Sequence, residues 1–252
     1  MAQKSILVTG ATGKLGLALV THVRKLPHFL YTPGRSELDI TNVSQVESWV
    51  RSHNFDTVIH TAAMARMSEC EKHSDQAVKT NIVGTSNLVI TVIQKEEEIK
   101  KNIRFIHIST DGVYDGMRGN YKEDDETLPY NFYGWTKLGA ECAVRLLKNH
   151  CIIRGSFFDP ENIPFQSSAV DAFSSKLPIA KFVEAILFLV EDSFCGVINI
   201  GDKKQSDYER YRMYKKNLDP CNLKDILKGV SFNMAQDASL NCSKWQKIRG
   251  DE

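Results

Sequence analysis

Residues 6–16 read ILVTGATGKLG, an apolar run that ends in glycines spaced G-x-x-G-x-x-G and continues into the helical pattern Leu15, Leu17, Leu19, Val20. A strand that breaks into a tight turn and feeds a helix is the opening of a βαβ unit, so this short stretch already restricts the chain to a parallel sheet with crossover helices. Gly10, Gly13 and Gly16 allow backbone conformations and close approaches that a Cβ would block. The helix that follows presents free N–H groups and its positive dipole end, which suits a pyrophosphate. Gly10, Thr12, Gly13, Lys14, Leu15 and Gly16 are therefore candidate contacts for a dinucleotide. A tight strand-to-helix turn without a ligand explains a glycine triplet equally well, and it is the surrounding order of elements that favours the dinucleotide.

The rest of the chain repeats the alternation. Strands are predicted at 4–9, 29–32, 56–61, 103–109 and 151–154, with helices over 13–25, 43–53, 74–95 and 131–148. The charged string KEEEIKK (95–101) reads as a solvated helix end. After Phe157 the Asp159-Pro160 and Ile163-Pro164 pairs interrupt regular structure, which places a boundary near 157. Residues 1–157 form the expected dinucleotide-binding part and 158–252 a small α/β substrate-binding part. The latter contains a helix over 180–191, a strand over 196–200 and a helix over 206–214. Tyr208, Tyr211 and Tyr214 fall at helical spacing, which reads as a packing face, with a binding stripe as the alternative.

Composition narrows the partners. With 252 residues, 42% hydrophobic and 25% charged, the chain can bury a substantial core. Its net charge of +1 advertises neither nucleic acid nor a basic partner, so a small molecule is expected. The six cysteines form no C-x-x-C pair, so they read as reduced thiols, and no metal site is expected. The first strand begins almost at the start of the sequence and no apolar run approaches the roughly 18–20 residues of a membrane span. A cytoplasmic location without membrane contact follows as an expectation.

After the second strand, Arg35 and Ser36 precede the first carboxylate, Glu37. An arginine there can pair with a 2′-phosphate, which favours NADPH over NADH, although an ordinary surface arginine fits the same string. Tyr133 and Lys137 lie four residues apart, one helical turn, so an ammonium could stabilise the phenolate and bring Tyr133 into the range of a proton donor. Ser109-Thr110-Asp111 ends an apolar strand, where α/β sheets gather ligand-binding residues. A hydroxyl there could hold a substrate carbonyl, or Thr110 and Asp111 could simply make a turn or cap. His60 and His107 sit in apolar strands and read as satisfied core histidines.

Together, TGATGKLG (9–16), SELDIT (36–41), HTAAM (60–64), TNIVGTSNL (80–88), STDGVYDG (109–116) and LPYNFYGWTKLGAE (128–141) resemble the extended short-chain dehydrogenases, specifically the dTDP-4-dehydrorhamnose reductase family. The resemblance covers about the first 157 residues and implies a Rossmann-type doubly wound α/β fold. It implies that Gly13, Lys14 and Leu15 face the cofactor phosphates and Asp39 with Ile40 the adenine. Ala62, Ala63 and Met64 would line the cofactor cleft, with Asn81 supporting it. Thr110 and Asp111 would contact the sugar, with Tyr133 the acid. Lys137 would hold the nicotinamide ribose and tune Tyr133. Arg154-Gly155-Ser156-Phe157 looks like the family's R-x-S-aromatic segment, which puts Phe157 against the substrate. The chain departs from the family between Pro160 and the helix near 180, where it reads as short of the usual loops and helices, in the faint echo at 238–244, and at Gly112, where an aromatic residue is common.

The function implied is NADPH-dependent reduction of the 4-keto group of a nucleotide-linked 4-keto-6-deoxy sugar, with a homodimer as one possible assembly. Two other readings stay open. One is a nucleotide-sugar epimerase or dehydratase that retains NAD. The other is a non-catalytic NADP-binding regulatory subunit resembling the β subunit of methionine adenosyltransferase.

Overall fold

A computed structural model describes residues 3–24 and 26–250. Six strands, β1 (Ser5–Thr9), β2 (Phe29–Tyr31), β3 (Thr57–His60), β4 (Arg104–Ile108), β5 (His150–Arg154) and β6 (Gly196–Asn199), build one sheet. Their order is β2-β1-β3-β4-β5-β6 and every pairing is parallel. The chain moves from β1 outward to β2 and then returns to β3 on the opposite side of β1. That reversal opens a crevice at the carboxyl ends of β1 and β3, where ligands of such sheets bind.

The strands are apolar on both sides because helices cover both faces. Ile6, Val8, Ile59, Ile106 and Ile153 pack with α1 (Lys14–Val23) and, further along the chain, with the helix Ile179–Glu191. Leu7, Val58, Phe105 and Ile152 point the other way, into a core shared with α2 (Val43–Ser52) and α3 (Thr85–Ile99). α4 (Phe132–Val144) packs on that second face beside α3. α5 is the helix Ile179–Glu191.

The predicted elements are present with shifted edges. Gly13 is the N-cap of α1, which ends at Val23; the expected final residue, Lys25, lies outside the described residues, as do 1–2 and 251–252. The single helix expected over 74–95 is instead a short α segment, Ser74–Ala77, a π-helical segment, Val78–Gly84, and then α3. π-helical turns inside helices often mark functional sites, and this one carries Asn81. The charged string is not solvated throughout. Lys95 is buried: its Nζ donates to the Val50 carbonyl at 2.9 Å and lies over the Phe55 ring, because its long stem runs inward along α2 before the ammonium finds an acceptor.

β6 and α5 lie beyond residue 157 yet belong to the main sheet and its cover. What changes near 157 is the start of a layer over the strand carboxyl ends. Phe157–Phe158 pairs with Leu177–Pro178, Ser167–Ala169 with Asp219–Cys221, and Phe173–Ser174 with Gln205–Ser206. The helix Asp207–Arg212 begins at a capping box formed by Ser206 and Glu209. Tyr211 is buried against Phe158 and Leu218, in keeping with a packing face, while Tyr214 is exposed at its edge. All six cysteines carry free thiols.

Candidate active site

The glycine turn is shaped as a cradle. Gly10 has φ +69°, and a Cβ there would stand 2.6 Å from the Ala62 nitrogen. A Cβ on Gly16 would stand 2.2 Å from the Gly10 carbonyl oxygen. Both positions therefore exclude side chains, and together they set the turn against the end of β3. No side chain caps the start of α1 and no acidic residue lies in its first turn, so its first N–H groups remain available to an anion. The Leu15 side chain is buried in the core, so only its backbone can serve a ligand. Lys14 reaches away from the turn, with Nζ 3.4 Å from Asp159 Oδ2.

In front of this cradle is a cleft of about 230 Å³ lined by Gly10, Thr12, Gly13, Arg35, Asp39, Ile40, Ala62 and Ala63, among others. The bare glycine turn and the uncapped start of α1 suit the diphosphate of a dinucleotide. Arg35 is largely exposed and its Nε donates to Asp39 Oδ2 at 3.1 Å. Burial raises the Asp39 carboxyl, but hydrogen bonds from the Thr41 N–H and hydroxyl and from Arg35 outweigh it and hold the group below its ordinary range. Ser36 is exposed outside the cleft lining, its carbonyl tied to Gln45. Asn81 sits behind the wall. Its Oδ1 accepts from the Met64 N–H at 2.7 Å, and its Nδ2 donates to the Met64 carbonyl at 3.0 Å and to Thr136 Oγ1 at 2.8 Å. It thus fixes the exit loop of β3 to α4 and positions the cleft without reaching into it.

A second cavity of about 290 Å³ adjoins this loop through Ala65 and Met67 and gathers Thr110, Asp111, Tyr133 and Phe157. Thr110 also realises the alternative reading, since it caps the short 3-10 turn Asp111–Val113 by accepting from the Gly112 N–H at 3.1 Å. Its hydroxyl donates to Asp111 Oδ1, and Ser156 donates to Asp111 Oδ2. Burial pushes the Asp111 carboxyl up, against those hydrogen bonds and the charge of Lys176. At Gly112, where a Cβ would stand 3.4 Å from Thr110 Oγ1 and 3.5 Å from the Tyr130 hydroxyl, Thr110 and Tyr130 are the neighbours.

Tyr133 lines the cavity, but Lys137 does not. The Lys137 side chain is buried one turn further along α4, with Nζ 3.3 Å from His107 Nε2. The expected lowering of the phenol is therefore reversed. Burial pushes Tyr133 up, with the charges of Asp111 and Cys70 adding to it, and Lys137 is not among the groups that act on it. Burial pulls Lys137 down to about 8, against the opposing charge of Glu141. His60 is a satisfied core histidine, bonded to Thr9 and Thr85. His107 is not, because its Nδ1 has no partner.

Beneath the cavity lies a rigid ionic frame. Arg154 grips Glu141 with Nε at 3.0 Å and Nη2 at 2.8 Å, and Glu141 also accepts from Ser109 Oγ at 2.5 Å. The cavity further contains residues that the sequence reading missed. Lys176 Nζ lies 2.8 Å from Asp207 Oδ2, and Asp207 Oδ1 accepts from Ser174 Oγ at 2.9 Å. Lys176 sits in an irregular segment without periodicity, and Asp207 opens a helix whose tyrosines suggested packing alone. Among the described residues no cluster could hold a metal ion, and no helix is long and apolar enough to cross a membrane.

Comparison with known proteins places this arrangement. Residues 4–162 match the family model described as the RmlD substrate binding domain. A dTDP-4-keto-6-deoxy-D-glucose reductase from Streptomyces niveus is 37% identical over 139 residues, 55% of this chain and 46% of that protein. A dTDP-4-dehydrorhamnose reductase from Mycolicibacterium smegmatis is 35% identical over 150 residues, 59% of this chain and 43% of that protein. The matched part thus spans about half the length of these curated relatives. The fold continues further. The crystal structure of dTDP-4-dehydrorhamnose reductase from Bacillus anthracis in complex with NADP superposes with a TM-score of 0.87 over 99% of this chain and 94% of that one, at 23% identity.

Proposed function

We propose that this chain, which belongs to the RmlD substrate binding domain family, reduces the 4-keto group of a nucleotide-linked 4-keto-6-deoxy sugar at the expense of NADPH. The observation that carries the reading is the cavity in which Tyr133, Thr110 and Asp111 converge beside the loop that also walls the glycine cradle. The names of the relatives support the substrate class.

Gly10, Gly13 and the first turn of α1 would hold the cofactor diphosphate, Asp39 and Ile40 its adenosine end, and Arg35 a 2′-phosphate. When bound there, reduced NADP supplies a hydride. The strand ends of the sheet and the layer that starts near 157 would hold the sugar between them, with Phe157 against it. Tyr133 is held as a neutral phenol, the state a proton donor needs, and delivers its proton to the carbonyl oxygen as that oxygen gains charge. Asp111, tied by Thr110 and Ser156, is a fixed acceptor for a sugar hydroxyl. Lys137, one turn further along α4 and hydrogen-bonded to His107, would keep a positive charge near the helix turn that carries Tyr133.

Loss of NADPH absorbance on addition of nucleotide-linked 4-keto sugars tests the reading. Turnover is expected in the native chain, and Tyr133→Phe should abolish it while leaving NADPH affinity intact. Equal turnover in Tyr133→Phe refutes the acid role. NAD retained through purification without net oxidation points to an epimerase, and cofactor binding without turnover on any sugar points to a regulatory subunit.

A further inference from the structure

Two histidines lie side by side in the centre of the sheet, His60 on β3 and His107 on β4, with ring centroids 5.4 Å apart and planes 29° from parallel. The hydrogen bonds around them fix where the protons lie. Thr85 donates its only hydroxyl hydrogen to the Asn81 carbonyl at 2.7 Å. Toward His60 Nε2, at 2.9 Å, the Thr85 oxygen can therefore only accept. His60 is thus protonated on Nε2 and accepts from Thr9 Oγ1 at Nδ1, 2.6 Å away. Burial keeps this ring neutral, at about 3.

His107 has no such pair of partners. It is fully buried, its Nδ1 is unpartnered, and its Nε2 faces Lys137 Nζ at 3.3 Å. Two nitrogens in contact need one donor and one acceptor. Either the ammonium donates to a bare Nε2, or an Nε2–H donates to a neutral amine. The groups facing this contact are His60 from β3 and Glu141 from α4, and Glu141 is the one that favours a charged lysine. Nδ1 is unpartnered in either case, and because Lys137 falls only to about 8 it is an ammonium near neutral pH and takes the donor's part.

We propose that His107 is a positioning residue for Lys137: it is neutral, protonated on Nδ1, and accepts a hydrogen bond from the Lys137 ammonium through Nε2, so that the sheet itself holds this charge one helical turn from the proton donor. The orphaned Nδ1–H is the consequence of that arrangement, because the ring's one proton must sit on the nitrogen that does not face the lysine. The tautomer stands by itself; its role in turnover rests on the reductase reading given above.

Long-range ¹H–¹⁵N correlations of the imidazoles in the ¹⁵N-labelled full chain read the tautomer directly. His107, assigned by the signals lost in His107→Gln, should show a protonated Nδ1 and a bare Nε2 near neutral pH, and Lys137→Met should return it to the common Nε2–H form. A protonated Nε2 in the native chain overturns the proposal, and this measurement needs neither substrate nor turnover. In kinetics, His107→Leu should move the alkaline limb of kcat/KM about one pH unit toward acid, a roughly tenfold loss above that limb. His107→Gln, whose amide oxygen can accept in the place of Nε2, should restore it. A limb unmoved in His107→Leu refutes the positioning role, whereas absence of turnover in the native chain refutes the reductase reading and leaves the tautomer result intact.

Discussion

Replacing Lys137 by methionine should make the protein more stable near neutral pH and remove its activity. The Lys137 ammonium is driven from 10.5 down to about 8, chiefly by burial. At about 1.4 kcal/mol for each tenfold change in proton affinity, keeping that charge in the folded state costs on the order of 3 kcal/mol. Methionine preserves the aliphatic stem but cannot donate to His107, which removes roughly 1 kcal/mol of the gain. A net stabilisation of about 2 kcal/mol is expected at pH 7. The sign with pH follows from proton counts. Between about pH 8 and 10.5 the unfolded chain holds the lysine proton and the folded chain does not, so native stability rises with pH across that window. The methionine variant has no such term, and its advantage should shrink to less than about 1 kcal/mol by pH 10. Urea unfolding of both proteins at pH 7 and pH 10 with linear extrapolation supplies the comparison. A native chain more stable than the variant at pH 7, or a gap that does not change with pH, would refute the claim that this charge is held at the expense of folding.

Three further outcomes are expected. Glu141→Gln breaks the paired grip of Arg154 and leaves a buried guanidinium without its carboxylate, so thermal or urea denaturation should register a loss of about 3–5 kcal/mol. Gly10→Ala introduces a Cβ 2.6 Å from the Ala62 nitrogen at φ +69°, so dinucleotide affinity measured by fluorescence titration should collapse; Gly13→Ala, whose Cβ meets only the Gly10 oxygen at 3.3 Å, should be milder. Arg35→Ala removes an exposed side chain, so melting temperature should hold while the ratio of NADPH to NADH affinity falls about 10- to 100-fold, the worth of a charge-assisted bond to a phosphate.

The legible parts of the sequence were those in which both members of an interaction lie within one helical turn or one strand-turn-helix unit. The glycine cradle, the strand end at Thr110 and Asp111, and the Tyr133/Lys137 spacing are of this kind, and the structure sets the glycine turn in one cleft and Thr110, Asp111 and Tyr133 in a neighbouring cavity, with Lys137 lining neither. What the spacing could not convey is what each side chain meets across the sheet. Lys137 does share a helix with Tyr133, yet it turns to a histidine 30 residues upstream, on β4. Within the charge string at 95–101, whose residues 97–101 are exposed as read, Lys95 alone was misjudged, for the same reason: a carbonyl 45 residues away captures it. Lys176 and Asp207 were missed because two short strands, Phe173–Ser174 and Gln205–Ser206, bring together segments with no shared period.

The two lysines of the site show how partner, more than burial, decides what a buried charge can do. Both are shielded by the protein, and burial pulls both downward. Lys176 has the Asp207 carboxylate at 2.8 Å, which outweighs burial and holds it charged above its ordinary range, so it remains a fixed cation throughout the working pH. Lys137 has only a neutral ring within bonding distance and a carboxylate acting by charge alone, so its ammonium falls to about 8 and can change state near neutrality. A fixed cation paired with a carboxylate presents a donor and an acceptor side by side, which suits a hydroxyl-bearing ligand. A cation able to change state, one helical turn from Tyr133, would under the proposed reading respond to pH where the paired one would not. The opposite behaviour of the two charges therefore follows from one difference, a carboxylate in contact with one lysine and an imidazole with the other.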